Sequence, residues 1–118
     1  MRVLIIEQEK TIQHSLSLFL ESQKNYQVLS AASKKDGISL WDAFPCDIVI
    51  CNDRLPDGSG LEMLKEFSRQ DPKVISILMT VRNDDQLRQE ALKAGIKAYL
   101  EKPFDLHQLE EALGFIRP

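Results

Sequence analysis

Four polar sites in this chain carry groups that phosphoryl or metal chemistry would use. Glu7-Gln8-Glu9 follows the apolar run Val3 to Ile6, Asn52-Asp53 follows Ile48 to Cys51, Thr80 follows Val74 to Met79, and Lys102-Pro103 follows Ala98 to Leu100. A carboxylate can hold a hard cation or attack phosphorus, a hydroxyl can donate to a phosphoryl oxygen, and an ammonium can neutralise one. Asn52 departs from that chemistry. An acyl phosphate forms by attack of a carboxylate oxygen, and a neutral amide is a poor nucleophile that cannot yield the same product. A loop that cradles phosphate on backbone amides is missing as well, since Glu7-Gln8-Glu9-Lys10-Thr11 has no glycine and carries two carboxylates. A small-ligand module binding nucleotide or flavin is accordingly the weakest reading.

These four sites converge only if the apolar runs are strands of one sheet. Runs with strand character lie at Val3 to Ile6, Tyr26 to Leu29, Ile48 to Cys51, Val74 to Met79 and Ala98 to Leu100. Between them stand segments with helical spacing: Ile12, Leu16, Phe19 and Leu20; Ile38, Leu40, Trp41 and Phe44; Leu61, Leu64 and Phe67; Leu87, Ala91, Leu92 and Ala94; and Leu106, Leu109, Leu113 and Phe115. Strands this short and uniformly apolar are buried on both faces, which requires helices on both sides of a parallel sheet. The expected architecture is α/β: a (βα)5 doubly wound, five-stranded parallel sheet. In such sheets function collects at the carboxyl ends of the strands, where all four sites fall. Gly95 is expected to end the fourth helix, Asp105 to cap the fifth, and Asp57-Gly58-Ser59-Gly60 to turn the chain into the third.

Composition sets the outer limits. The chain has 118 residues, 43% hydrophobic and 28% charged, as expected for one globular domain spanning 1–118. Arg117-Pro118 would suit the end of a domain cut from a longer chain. A net charge of −3 supplies no excess positive field for nucleic acid. No apolar stretch approaches the roughly 20 residues that cross a bilayer, and no signal segment opens the chain, so the expected location is cytoplasmic. Cys46 and Cys51 lack nearby histidines and read as buried structural thiols.

Taken together, the acidic start after the first strand, Asp53-Arg54-Leu55-Pro56-Asp57-Gly58-Ser59-Gly60-Leu61, Thr80, and Gly95-Ile96-Lys97-Ala98-Tyr99-Leu100-Glu101-Lys102-Pro103-Phe104 carry a family signature. The whole chain resembles the receiver domain of two-component response regulators. The resemblance implies a flavodoxin-like strand order 2-1-3-4-5, a phosphoacceptor at position 52, an acidic pair at 7 and 8, and a Mg²⁺ ion held by those carboxylates. It also implies a lysine at 102 that contacts phosphoryl oxygens, with a cis bond before Pro103, and a Thr80/Tyr99 switch that reshapes the face made by helix four, strand five and helix five. Phosphoryl groups come from a histidine kinase in that family.

The chain departs from the family where the chemistry happens. Glu7 keeps the first acidic position, but Gln8 and Asn52 put amides where two carboxylates belong. Any residual Mg²⁺ site, at Glu7, Asn52 and the Arg54 backbone, is expected to be weak or absent, and no other cofactor is expected. Lys102 is then free to pair with Glu7 or to donate to the Asn52 amide oxygen. Val81 replaces the family's small residue and is expected to crowd the pocket. Asp53 is the rival acceptor, although successive strand residues point to opposite faces, so its carboxylate should aim away from the pocket. Glu9 reads as a solvated residue at a helix start, His14 and His107 as surface histidines, and Trp41 as a core packer. Thr80 and Tyr99 also admit a plain alternative, a strand-capping threonine and a half-buried tyrosine.

The resulting expectation is a non-enzymatic pseudo-receiver. It would act by phosphorylation-independent contacts through Tyr99, Lys97 and the exposed sides of residues 83 to 93 and 105 to 116. A second copy of the chain, a histidine kinase and a downstream effector are the partner classes in view. The competing readings are an active receiver using Asp53 and an ordinary receiver with an Asp-to-Asn replacement at 52, the latter leaving Gln8 unexplained.

Overall fold

The computed structural model describes residues 1–23, 25–82 and 84–114. Asn83, Phe115 and Ile116, which belong to the expected interaction face, and the terminal Arg117-Pro118 lie outside the described residues. The elements run β1 (Arg2–Ile6), α1 (Lys10–Glu21), β2 (Gln27–Ala31), α2 (Lys34–Ala43), β3 (Ile48–Asn52), β4 (Arg54–Leu55), β5 (Gly58–Ser59), α3 (Gly60–Gln70), β6 (Ile75–Thr80), α4 (Asp85–Lys93), β7 (Ala98–Glu101) and α5 (Leu106–Gly114). The main sheet has the order β2-β1-β3-β6-β7 with every pairing parallel. That is the expected order once β4 and β5, a two-residue hairpin inside the turn after β3, are set aside.

Side-chain alternation divides the core into two layers. Leu4, Ile6, Val49, Cys51 and Leu78 face Leu61, Leu64 and Phe67 of α3 and Leu87 and Ala91 of α4. Val3, Ile5, Ile48, Ile50, Ile77 and Met79 face Leu16 and Leu20 of α1 and Leu109 and Leu113 of α5. The central strand β3 is buried along its whole length, whereas the edge strand β2 is not, which corrects the expectation that all five strands are covered on both faces. Its span also shifts two residues beyond Leu29, because pairing with β1 continues to Ile6 and Ala31. Three apolar positions expected in helix faces stand outside the core, among them Leu106 at the start of α5, 47% exposed. Phe44 follows α2, 42% exposed, with the Arg2 guanidinium over its ring, and Leu92 of α4 is 68% exposed because Leu87 and Ala91 already fill that contact.

Local chemistry fixes the ends that hold the site. Ser59 caps α3 by accepting from the Glu62 amide, and Asp105 accepts from the Gln108 amide at the start of α5. After α4, Gly95 takes a left-handed φ of 82° while the Gly95 and Ile96 amides bond back to Leu92 and Ala91. Gly60 starts α3 hard against the end of β3: a Cβ there would lie 1.9 Å from the Asn52 carbonyl oxygen. Trp41 stacks on Phe67 with ring centroids 4.2 Å apart and donates its indole N–H to Gln70, as a core-packing residue with a polar tip does.

Candidate functional site

Alternation continues past the strand ends and sorts the polar residues. Glu7, Asn52 and Lys102 extend the α1/α5 layer, while Asp53 and Thr80 extend the α3/α4 layer. On the first side Glu7 is fully buried, and its carboxylate accepts from the Lys102 ammonium and, at 3.0 Å, from the Glu9 amide. The Lys102 side chain is itself only 11% exposed. Of the two partners in view for Lys102, Glu7 is the one it takes. The Lys102–Pro103 peptide bond is cis.

Asn52 lies beside this ion pair. Its amide Nδ2 donates to the Arg54 carbonyl at 2.6 Å and to Gln8 Oε1 at 3.1 Å, while Gln8 Nε2 donates to the same Arg54 carbonyl at 3.0 Å. Two amide donors thus converge on the Arg54 carbonyl, and the buried Glu7 carboxylate is neutralised by an ammonium. A hard divalent cation needs several oxygen acceptors with uncompensated negative charge. This donor set does not fit Mg²⁺. Beneath it, burial and then the Glu7 and Asp53 carboxylates push the Cys51 thiol far up, so Cys51 is an inert packing residue. Burial also raises Cys46, and both cysteines are free.

On the other side Asp53, 5% exposed, accepts from Thr80 Oγ1 at 3.2 Å and from Arg82 Nε at 3.0 Å. The Arg82 amide donates to Thr80 Oγ1 at 3.0 Å, and the Tyr99 hydroxyl donates to the Arg82 carbonyl at 2.8 Å. Asp53 hydrogen-bonding raises Arg82 further above its already high value, and burial raises Tyr99. The Arg88 guanidinium lies 5.0 Å from the Tyr99 ring centroid, and Lys97 is exposed nearby.

The structure therefore pairs Glu7 with Lys102, joins Gln8 and Asn52 on the Arg54 carbonyl as a second set, and binds Thr80 to Asp53 instead. Asp53, expected to aim away from the pocket, meets Thr80, one of the residues expected in it. Val81, expected to crowd the pocket, is 71% exposed and lines a groove with Ile12, Lys102, Phe104 and Leu106. Glu9 and His14 are exposed, and His107 pairs with Glu111 on the α5 surface. Sequence reasoning missed Arg82. Its signal was indirect: β3 and β6 are neighbours, and residues just past their ends must meet, as the 2.7 Å bond from the Asp53 amide to Met79 shows.

A doubly wound sheet that gathers an acid, a hydroxyl and a lysine at the carboxyl ends of its strands defines a receiver-type signalling module. Residues 3–114 match the response regulator receiver domain family, and this chain belongs to it. Among curated relatives, the response regulator protein PilR of Pseudomonas aeruginosa is 32% identical over 110 residues, covering 93% of this chain and 24% of its own length. The KDP operon transcriptional regulatory protein KdpE of Escherichia coli is 32% identical over 111 residues, covering 94% and 48%. The chain thus spans between about a quarter and a half of these relatives. A receiver domain protein from Clostridium thermocellum superposes with a TM-score of 0.86 at 28% identity, over 97% of this chain and 91% of its own. The chain is a receiver domain of the two-component type, and among the described residues no helix is long and apolar enough to cross a membrane.

Proposed function

We propose that this receiver domain signals from the cytoplasm without phosphoryl transfer at position 52, through protein contacts of the α4–β7–α5 face. The observation that carries the reading is the Asn52 amide, a hydrogen-bond donor fixed on the Arg54 carbonyl and Gln8, at the position where the family's acceptor carboxylate stands. Lys102, the residue that would meet phosphoryl oxygens, is engaged by a buried Glu7. The pocket's polar groups are bonded to one another and leave Mg²⁺ few free oxygen acceptors. Tyr99, Lys97 and Arg88 form an aromatic and cationic patch beside Glu101, to which Arg88 is paired at 4.0 Å, and this mixed surface suits a protein partner. Such a partner regulates the domain if it binds one of two conformations better than the other.

Asp53 as a substitute acceptor is disfavoured by its burial and by its bonds to Thr80 and Arg82. A deliberate replacement at 52 does not account for Gln8. The test is intact-mass spectrometry with peptide mapping after incubation with Mg²⁺ and acetyl phosphate, beside Asn52→Asp. The expected result is no adduct on the unaltered chain; a phosphoryl group mapped to Asp53 would overturn the reading.

A further inference from the structure

Thr80 has a single hydroxyl proton, and it is committed. The proton goes to Asp53 Oδ2, and the oxygen accepts the Arg82 amide. The hydroxyl therefore has nothing left to donate to an anion beside Lys102. Asp53 holds this arrangement because its carboxylate is buried and needs the Arg82 guanidinium, which reaches it through Nε on the same oxygen. Arg82 in turn supplies, through its own carbonyl, the acceptor for the Tyr99 hydroxyl. Arg82 thus closes a ring of hydrogen bonds with the carboxylate and the threonine, and holds the tyrosine as a branch from its carbonyl.

We infer that the Asp53–Arg82 pair is a latch that sets Thr80 and Tyr99 together, doing with a fixed internal charge pair what an arriving phosphoryl group would otherwise do. The inference rests on the reading of the α4–β7–α5 face as the output surface. Asp53 is a positioning residue here: it touches no ligand and acts through the threonine hydroxyl. The latch is accessible from one side only, because the Arg82 side chain is 36% exposed and that of Asp53 6%. A partner opens it by drawing Arg82 outward, and Asp84, whose carboxylate is 3.7 Å from Arg82 Nη1, already offers a second anchor in that direction.

The experiment is solution NMR on the unaltered chain, Arg82→Ala, Arg82→Lys and Asp53→Asn. Thr80 χ1 is read from three-bond couplings, exchange of the Arg82 or substituted residue-82 amide with solvent, and Tyr99 from its ring resonances. In Arg82→Ala, Thr80 should leave its single rotamer, the residue-82 amide should exchange at least tenfold faster, and the Tyr99 ring signals should move. Arg82→Lys should retain part of the original pattern, which a purely structural loss would not. Asp53→Asn keeps the shape and removes the charge, and it serves if Arg82→Ala does not fold. An unchanged Thr80 rotamer in a folded variant overturns the latch, and so does movement of Thr80 with Tyr99 fixed. Phosphoryl uptake is read separately by mass on the same samples, so failure of the latch and failure of the pseudo-receiver reading appear in different measurements.

Discussion

Replacing Lys102 by Met should destabilise the fold by about 3–5 kcal/mol, the range for removing one partner of a buried ion pair. The figure follows from burial. Glu7 is fully inaccessible and Lys102 is 11% exposed in its side chain, so neither charge is appreciably screened by water. Without the ammonium, Glu7 still accepts from the Glu9 amide, and a buried carboxylate with one neutral donor retains most of its desolvation cost. Adding Glu7→Gln removes the orphaned charge, so the double variant should recover about 2–3 kcal/mol. The assay is urea unfolding at pH 7 followed by Trp41 fluorescence, which reports the core because the indole stacks on Phe67. A loss below about 1 kcal/mol for Lys102→Met is what an exposed surface pair gives. That result would refute the claim that the pocket is closed on an internal charge pair.

Three further outcomes follow from the same geometry. Gly60→Ala should cost about 3 kcal/mol or more, because its Cβ would fall 1.9 Å from the Asn52 carbonyl oxygen and 2.9 Å from Cys51 Sγ, and backbone cannot yield as a flexible side chain can; a urea midpoint within error of the parent would contradict it. Cys51 should resist iodoacetamide at pH 8 in the native state and react in urea, since its thiol is held far above the ordinary value; native-state labelling mapped to Cys51 by mass would show the packing to be wrong. Asp57 accepts from the Lys34 and Lys35 amides at the start of α2, which lowers its pKa. A depressed carboxylate contributes stability above its unfolded-state value that is lost as pH falls through the folded value. The stability difference between the parent and Asp57→Asn should therefore shrink on going from pH 7 to pH 3; a gap that stays constant would show that the carboxylate charge is not what caps α2.

What was legible in the sequence is what repeats along it. Ile48-Val49-Ile50-Cys51 can only be a strand covered on both sides, and that alone forces helices onto both faces of the sheet. Asn52 and Gln8 were legible because the loss of a carboxylate is a matter of residue type, independent of rotamer. The edge of the sheet was less readable. Tyr26 to Leu29 looks like any buried strand, and its partial exposure follows only from its place outside β1. Pairings between distant residues were the least readable. Asp53 and Arg82 are charged residues in separate loops, and nothing local distinguishes them from solvated ones until the register of β3 on β6 brings them together.

The two faces of the strand ends hold different parts of this site. In a working site the carboxylates repel one another and need a cation, so the fold carries a destabilised centre. Here amides replace two of those charges, the third is neutralised by Lys102, and among the described residues every buried side-chain nitrogen and oxygen has a hydrogen-bond partner. Thr80 and Tyr99 keep their hydroxyls nonetheless, bound to Asp53 and to the Arg82 carbonyl. On the reading proposed above, the Asn52 side of the site is closed while the Thr80–Tyr99 side stays connected to the exposed face, the division expected of a module that is set by a partner.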